Sequence, residues 1–191
     1  GRDEEALAEA ADSLGFSRTA TDWRDVIDEV DVFYNLGPNH VHAEPSIAAL
    51  EAGTPVFCEK PLAPTLDDAQ SMADAAAEAD VPAGIAFNYR FIPAIQYAKR
   101  LVENGELGEI RHFRGRYLQD WLTDPEAPWS WRNDEEMAGS GALGDLGAHT
   151  VDLARFLVGD IEELSGHLRT FVDERPVEGE NETRPVTVDD A

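Results

Sequence analysis

Val30-Asp31-Val32-Phe33-Tyr34-Asn35-Leu36-Gly37-Pro38-Asn39-His40 leads into a helical pattern over 41–52, stopped by Gly53, and then into Pro55-Val56-Phe57-Cys58-Glu59-Lys60-Pro61. An apolar run, a turn, a helix and a second apolar run make one strand–helix–strand unit. The first run, over 27–36, is apolar at nearly consecutive positions, the pattern of a strand buried on both faces. A further unit follows, with Thr65-Leu66-Asp67-Asp68 capping a helix to about residue 79 and a strand over 81–89. Upstream, residues 3–14 read as a helix, with Ala6, Leu7, Ala10, Ala11 and Leu14 on one face and Gly15 as its stop. Strands alternating with helices of this length predict an α/β fold with a doubly wound parallel sheet, whose ligands gather at the strands' carboxyl ends. Those ends carry Gly37-Pro38-Asn39-His40, Glu59-Lys60-Pro61 and Asn88-Tyr89-Arg90, three polar clusters on one rim.

After Pro93 the pattern changes. A helix over 94–104 ends at Gly105, and residues 109–119 alternate Ile110, Phe113 and Tyr117 as a longer strand. A loop with Trp121, Trp129 and Trp131 follows; its tryptophans suit a core, but Trp129-Ser130-Trp131-Arg132 is better placed to cover a ligand. The glycine-rich stretch Gly139-Ser140-Gly141-Ala142-Leu143-Gly144-Asp145 then opens a helix to about residue 158. Residues 161–171 read as a strand, 173–185 as an acidic loop, and 186–188 as the start of another strand. We expect a partial dinucleotide-binding domain over 1–91 and a second domain over 92–191. No GxGxxG precedes the first helix and the chain stops as a strand begins, so it reads as an interior piece of a longer protein.

The 191 residues carry 39 acids against 15 bases, for a net charge of −24. So negative a field repels nucleic acid and anionic membranes and excludes both as partners. The acids are spread along the chain and 13 of the 15 bases are arginine, which reads as adaptation to high salt. The plainer alternative is an ordinary acidic cytosolic protein. Cys58 stands alone, so neither a disulfide framework nor a thiolate cluster is available. No apolar stretch reaches the length of a membrane span, and the amino terminus is unlike a signal peptide. The expected setting is the cytoplasm.

Three residues carry the expected chemistry. Asp145, His149 and Asp152 are spaced to share one helix face, where the Asp145 carboxylate can orient the His149 imidazole and favour its protonated form. The glycines around them allow a ligand to approach the backbone. The bland reading is a capped helix whose histidine is satisfied by a neighbouring acid. Lys60 has two readings: an ammonium at the rim that holds a substrate hydroxyl and lowers a nearby acid–base group, or a surface lysine paired with Glu59. Pro61 argues for a fixed bend, with a cis bond as one form of it. His40 and His42 lack further ligands for a metal, and a helix start facing a phosphate or ribose suits them better. His112 and His167 are read as structural or solvent-facing.

These motifs resemble the glucose–fructose oxidoreductase, inositol dehydrogenase and MocA-like group, Gfo/Idh/MocA. Gly37-Pro38-Asn39-His40-Val41-His42 is similar to that family's Thr-Pro-Asn-x-x-His turn, with glycine for threonine. Ala49-Leu50-Glu51-Ala52-Gly53 with Glu59-Lys60-Pro61, then Asn88-Tyr89-Arg90-Phe91, Trp131-Arg132 and Gly141–His149–Asp152, follow in the family's order. The resemblance implies a Rossmann domain for NAD or NADP, a partial α+β domain over 92–191 whose open, mainly antiparallel sheet mediates homo-oligomers, and oxidation of a sugar or polyol hydroxyl. It implies that Lys60 polarises the substrate oxygen, His149 exchanges the proton and Asp145 supports it. Leu36, Gly37, Pro38, Asn39, His42, Glu59, Lys60 and Asn88 would line the dinucleotide, with Trp131 and Arg132 reaching it from the second domain. Arg2 hints at the 2′-phosphate of NADP. The missing glycine loop implies that this piece alone is inactive. A non-catalytic sensor of nucleotide or sugar is the competing class, and retention of Lys60, Asp145 and His149 together favours the enzyme.

Overall fold

Local chemistry starts and stops the helices where the spacing predicts. The computed structural model describes residues 3–191. Helix α1 (Glu4–Leu14) begins where the Asp3 carboxylate accepts from the N–H groups of Glu5 and Ala6, both at 3.0 Å, and ends at Gly15 with φ 77°. Strand β1 (Phe33–Asn35) is followed by a 3₁₀ turn, Asn39–Val41, and helix α2 (Ala43–Glu51). Pro45 sits in the first turn of α2, where a backbone N–H has no helical acceptor to lose. Strand β2 (Val56–Cys58), helix α3 (Leu66–Glu78) and strand β3 (Ala83–Ile85) complete the second unit. The Thr65 hydroxyl caps α3, accepting from Asp68 N at 3.1 Å.

The three strands form a parallel sheet in the order β1-β2-β3, with Phe33 opposite Val56 and Val56 opposite Ala83. Ala49, Leu50, Val56, Cys58 and Met72 form the buried core between this sheet and the helices α2 and α3. Burying side chains such as Leu50 and Met72 contributes about 1.5–3 kcal/mol each. Burial also pushes the Cys58 thiol up to about 11, so it acts as a small core residue.

Helix α4 (Pro93–Glu103) starts on its proline, whose missing N–H costs nothing at that position. Helices α5 (Glu135–Ala138) and α6 (Ala148–Leu157) follow, α6 being joined to its predecessor by a π-turn at Leu143–Gly147. A guanidinium–carboxylate pair fastens α6 to the rim: Arg90 Nε donates to both oxygens of the buried Asp152, at 2.9 and 3.1 Å. Strands β4 (Glu174–Pro176) and β5 (Thr183–Pro185) pair antiparallel as a second, two-stranded sheet.

Several expected elements differ. The strand predicted over 27–36 narrows to Phe33–Asn35, and Val30, Val32, Tyr34 and Leu36 are exposed rather than buried on both faces. The segment 109–119 runs without a ladder partner among the described residues, and 161–171 finds one only at its end, where Arg169 and Ala191 exchange backbone bonds of 2.7 and 3.0 Å; Leu118 and Leu164 are exposed. Alternation reports which side chains share a face, whereas a strand also needs a neighbour's N–H and C=O groups. Conversely, the acidic stretch 173–185 is a hairpin, because Val177 N donates to Glu182 O at 3.0 Å and closes the turn. Residues 186–188 form no strand; Val186 N and Thr187 N instead donate to Asp173 O and Asn133 O.

Candidate active site

The first loop of the rim is built by one buried amide. Asn35 Nδ2 donates to Val41 O at 3.2 Å, His42 O at 3.0 Å and Ser46 Oγ at 3.1 Å, while its Oδ1 accepts from Gly37 N at 3.3 Å. The turn closes so tightly that a Cβ on Gly37 would lie 2.5 Å from Val41 Cγ2, so a larger residue there requires the Val41 side chain to turn away. His42 is fully buried, its ring nitrogens 2.9 Å from Pro61 O and 2.9 Å from Gly37 O. It bridges the ends of β1 and β2 inside the protein. Asn39 Nδ2 reaches Ala138 O at 2.8 Å and joins this loop to the second half of the chain.

The second loop carries Lys60, whose peptide bond to Pro61 is cis. Its ammonium donates to Asp145 Oδ1 at 2.5 Å and to Asp145 O at 2.9 Å, with the lysine side chain 15% exposed. The partner is therefore Asp145, 85 residues away, and not Glu59, whose carboxylate accepts from the Lys60 backbone N–H at 3.1 Å.

Asp145 is delivered by the glycine-rich stretch in a conformation the sequence did not announce. It lies in the π-turn, a one-residue insertion that sets it out of register with an ideal α-helical face. The buried Asp189 carboxylate accepts from Gly141 N and Leu143 N, both at 2.7 Å, and Ala142 N donates to Asp189 O at 2.9 Å. Backbone packs on backbone: a Cβ on Gly141 would stand 1.8 Å from Asp189 O.

His149 opens α6 and is 7% exposed. It stacks on Tyr89 at 4.4 Å between centroids, with Phe87 edge-on at 5.9 Å and Tyr117 tilted at 6.1 Å. Its Nδ1 is buried without a hydrogen-bond partner among the described residues. Burial, and after it the Lys60 ammonium, hold the imidazole below its ordinary value, while Asp145, Asp152 and Glu59 pull the other way. The expected bias toward the protonated form is thus reversed. The reason is plain: Asp145 spends its carboxylate on Lys60, Asp152 spends its own on Arg90, and desolvation opposes the cation.

A cavity of about 690 Å³ opens at this rim. Of the residues expected around a cofactor, Leu36, Gly37, Pro38, Asn39, Glu59, Lys60, Trp131 and Arg132 line it, as does Asp145. His42, exposed Asn88 and His149 are not among its lining residues. Arg2 lies outside the described residues. Apolar Leu36 and Pro38, the donors Asn39 and Arg132 and the acceptor Glu59 make a mixed lining that fits a nicotinamide ribonucleotide, and the volume is of ligand-site size.

The sequence reading passed over a second row of residues. Trp121 Nε1 donates to Gln119 Oε1 at 2.8 Å, Gln119 Nε2 to the Tyr117 hydroxyl at 2.9 Å, and that hydroxyl meets Tyr89's at 2.7 Å. Gln119 and Trp121 line the cavity. Tyr89 belonged to a rim cluster, whereas Gln119, Trp121 and Asp189 carried no local signal; of the expected cover, Trp131 and Arg132 line the cavity and Trp129 does not. The exposed His112 and His167 are solvent-facing.

Known proteins agree with this architecture. Residues 1–87 match the model for the oxidoreductase family with the NAD-binding Rossmann fold, and residues 95–191 that for the GFO/IDH/MocA C-terminal domain. Levoglucosan dehydrogenase of Pseudarthrobacter phenanthrenivorans is 44% identical over 200 residues, spanning 97% of this chain and 51% of that protein. A levoglucosan dehydrogenase solved with NADH and levoglucosan superposes with a TM-score of 0.95 at 45% identity, over 100% of this chain and 51% of the other. An oxidoreductase domain protein from Kribbella flavida gives 0.95 at 54% identity, over 100% and 52%. The chain thus spans about half the length of these relatives. Among the described residues, no helix is long and apolar enough to cross a membrane. Family models that together cover nearly every residue, and relatives this similar, place the chain in the Gfo/Idh/MocA oxidoreductase family.

Proposed function

We propose that the complete protein is an NAD(P)-dependent dehydrogenase that oxidises a hydroxyl of a sugar, polyol or related compound, or runs the reverse reduction. The observation that carries this reading is the Lys60–Asp145 pair inside a ligand-sized cavity at the strands' carboxyl rim. A similar protein solved with NADH and levoglucosan supports a sugar as the substrate class.

In this reading Lys60 donates a hydrogen bond to the reacting oxygen and favours the alkoxide as it develops. Asp145 holds the ammonium in place. His149, which burial and Lys60 bias toward the neutral imidazole, is assigned the hydroxyl proton, and since its ring lies outside the cavity lining this role requires the bound sugar to reach past that lining. Leu36, Gly37, Pro38, Asn39, Glu59, Trp131 and Arg132 bind and orient the dinucleotide. When bound, the nicotinamide supplies the hydride acceptor for the carbinol carbon. His42 shapes the site from within, through its contacts to Gly37 O and Pro61 O. We further assign residues 1–91 to the dinucleotide domain and 92–191 to the substrate and oligomer domain, in a cytoplasmic, salt-adapted protein.

The test uses the product of the complete coding sequence. Nicotinamide absorbance is followed against a panel of anhydrosugars, aldoses, glucosides and inositols with NAD and with NADP. Turnover of at least one sugar or polyol is expected. Cofactor binding with no turnover across the panel would favour the sensor reading instead.

A further inference from the structure

A fully buried guanidinium sits outside the site described so far. Arg175, in β4, is 0% exposed, yet it pairs with no carboxylate among the described residues. Its partners are backbone carbonyls of one loop: Nη2 donates to Leu122 O at 2.7 Å, and Nη1 to Asp124 O at 2.9 Å and Ala127 O at 3.4 Å. Its Nε is buried without a partner among the described residues. Burying a cation without a counter-ion is costly, so a plain packing role does not account for arginine at this position.

The loop it holds is otherwise exposed. Trp121, Thr123 and residues 124–126 are open to solvent, and Asp120 O and Asp124 O close two short turns by accepting from Thr123 N and Ala127 N. A second latch lies at its far end. Trp129 N donates to Pro176 O at 2.7 Å, its indole Nε1 to Pro185 O at 3.0 Å, and Arg184 covers the ring at 5.2 Å. Both latches come from the β4–β5 hairpin. The same loop puts Trp121, Leu122 and Thr123 on the cavity wall. The Leu122 carbonyl that Arg175 grips belongs to one of those wall residues.

We infer that Arg175 is a positioning residue for substrate recognition: from inside the hairpin it fixes the wall formed by residues 121–123, and so governs sugar affinity rather than the hydride-transfer step. The inference rests on the dehydrogenase reading, in which this wall takes the sugar because Trp121 is linked through Gln119 and Tyr117 to Tyr89, the ring stacked on His149. Lysine cannot replace the planar fork, because one ammonium does not span three carbonyls. Methionine fills the space and removes the guanidinium donor from all three carbonyls, leaving Asp124 O with Ala127 N alone.

The experiment compares Arg175→Lys and Arg175→Met with wild type in the product of the complete coding sequence. A sugar that the wild type oxidises serves as probe. KM for that sugar is expected to rise about tenfold or more in both variants, with kcat within about threefold and NADH affinity unchanged. Hydrogen exchange is expected to quicken at the amides of residues 122–129 while the α2 and α3 amides keep their protection. Unchanged KM with fast exchange, or KM, kcat and NADH affinity worsening together with the melting temperature, overturns the inference. Failure of both variants to fold also overturns it, because a residue that fixes one wall does not hold up the whole. Wild type without any sugar turnover defeats the dehydrogenase reading itself, and the exchange pattern then still decides whether Arg175 holds the loop.

Discussion

At His149 the competing influences are separable by substitution. Burial and Lys60 depress the imidazole, and Asp145 opposes them. Replacing Asp145 with Asn removes an influence that favours the cation, so the His149 ring signal is expected to titrate at lower pH than in wild type. An upward shift in the ring's NMR titration would contradict the assignment. Stability follows the same sign. The folded value lies below the ordinary 6.5, so the unfolded chain binds the proton that the folded chain refuses. Stability is complete above pH 6.5 and declines as pH falls through the window beneath it. His149→Asn is expected to flatten that part of the pH–melting profile. At this scale the sequence pointed to Lys60, Asp145 and His149 because lysine, carboxylate and imidazole are rare company at a strand end and a glycine-rich helix start; the structure joins Lys60 to Asp145 at the cavity and leaves His149 outside its lining. Lys60's partner was not, since a contact across 85 residues leaves no local trace.

Among the elements, the π-turn at Leu143–Gly147 decides where Asp145 points, and Asp189 clamps its entrance. Gly141→Ala would push a methyl to within 1.8 Å of Asp189 O, so the clamp must open. Because backbone rather than a flexible side chain stands in the way, the stretch carrying Asp145 has to move. A displacement near 1 Å at the chemistry lowers turnover about 100-fold. Comparing kcat/KM of Gly141→Ala with that of a control at an exposed position, Glu162→Ala, checks it. Activity close to wild type would show that the clamp does not aim Asp145. The helices of the first half were readable because caps, glycine stops and apolar periodicity are local. Segments 109–119 and 161–171 read as strands because alternation is local too, but a ladder partner is not. The hairpin at 174–185 escaped because charge and proline hid two three-residue strands whose pairing rests on backbone bonds.

For the whole molecule, net charge and the cavity between the two halves of the chain matter most. A charge of −24 spread over 191 residues makes self-repulsion a standing cost in dilute buffer. The screening length falls from about 10 Å at 0.1 M salt to about 3 Å at 1 M. The melting temperature is therefore expected to climb as KCl is raised over that range, and a flat or falling profile in calorimetry would remove the salt-adapted reading. The parallel sheet was legible, since its strands and helices alternate in sequence, but alternation does not fix the order β1-β2-β3 in which the strands lie side by side. The cavity was legible in its rim and not in its far wall, which Gln119, Trp121 and Asp189 complete from distant positions. The central claim is that Lys60 acts on the reacting oxygen and does not merely hold the fold together. It is tested most directly by measuring NADH affinity and sugar oxidation on one preparation of Lys60→Met. The account predicts NADH affinity within about threefold of wild type and kcat lower by about 100-fold or more; turnover at the wild-type rate would contradict it.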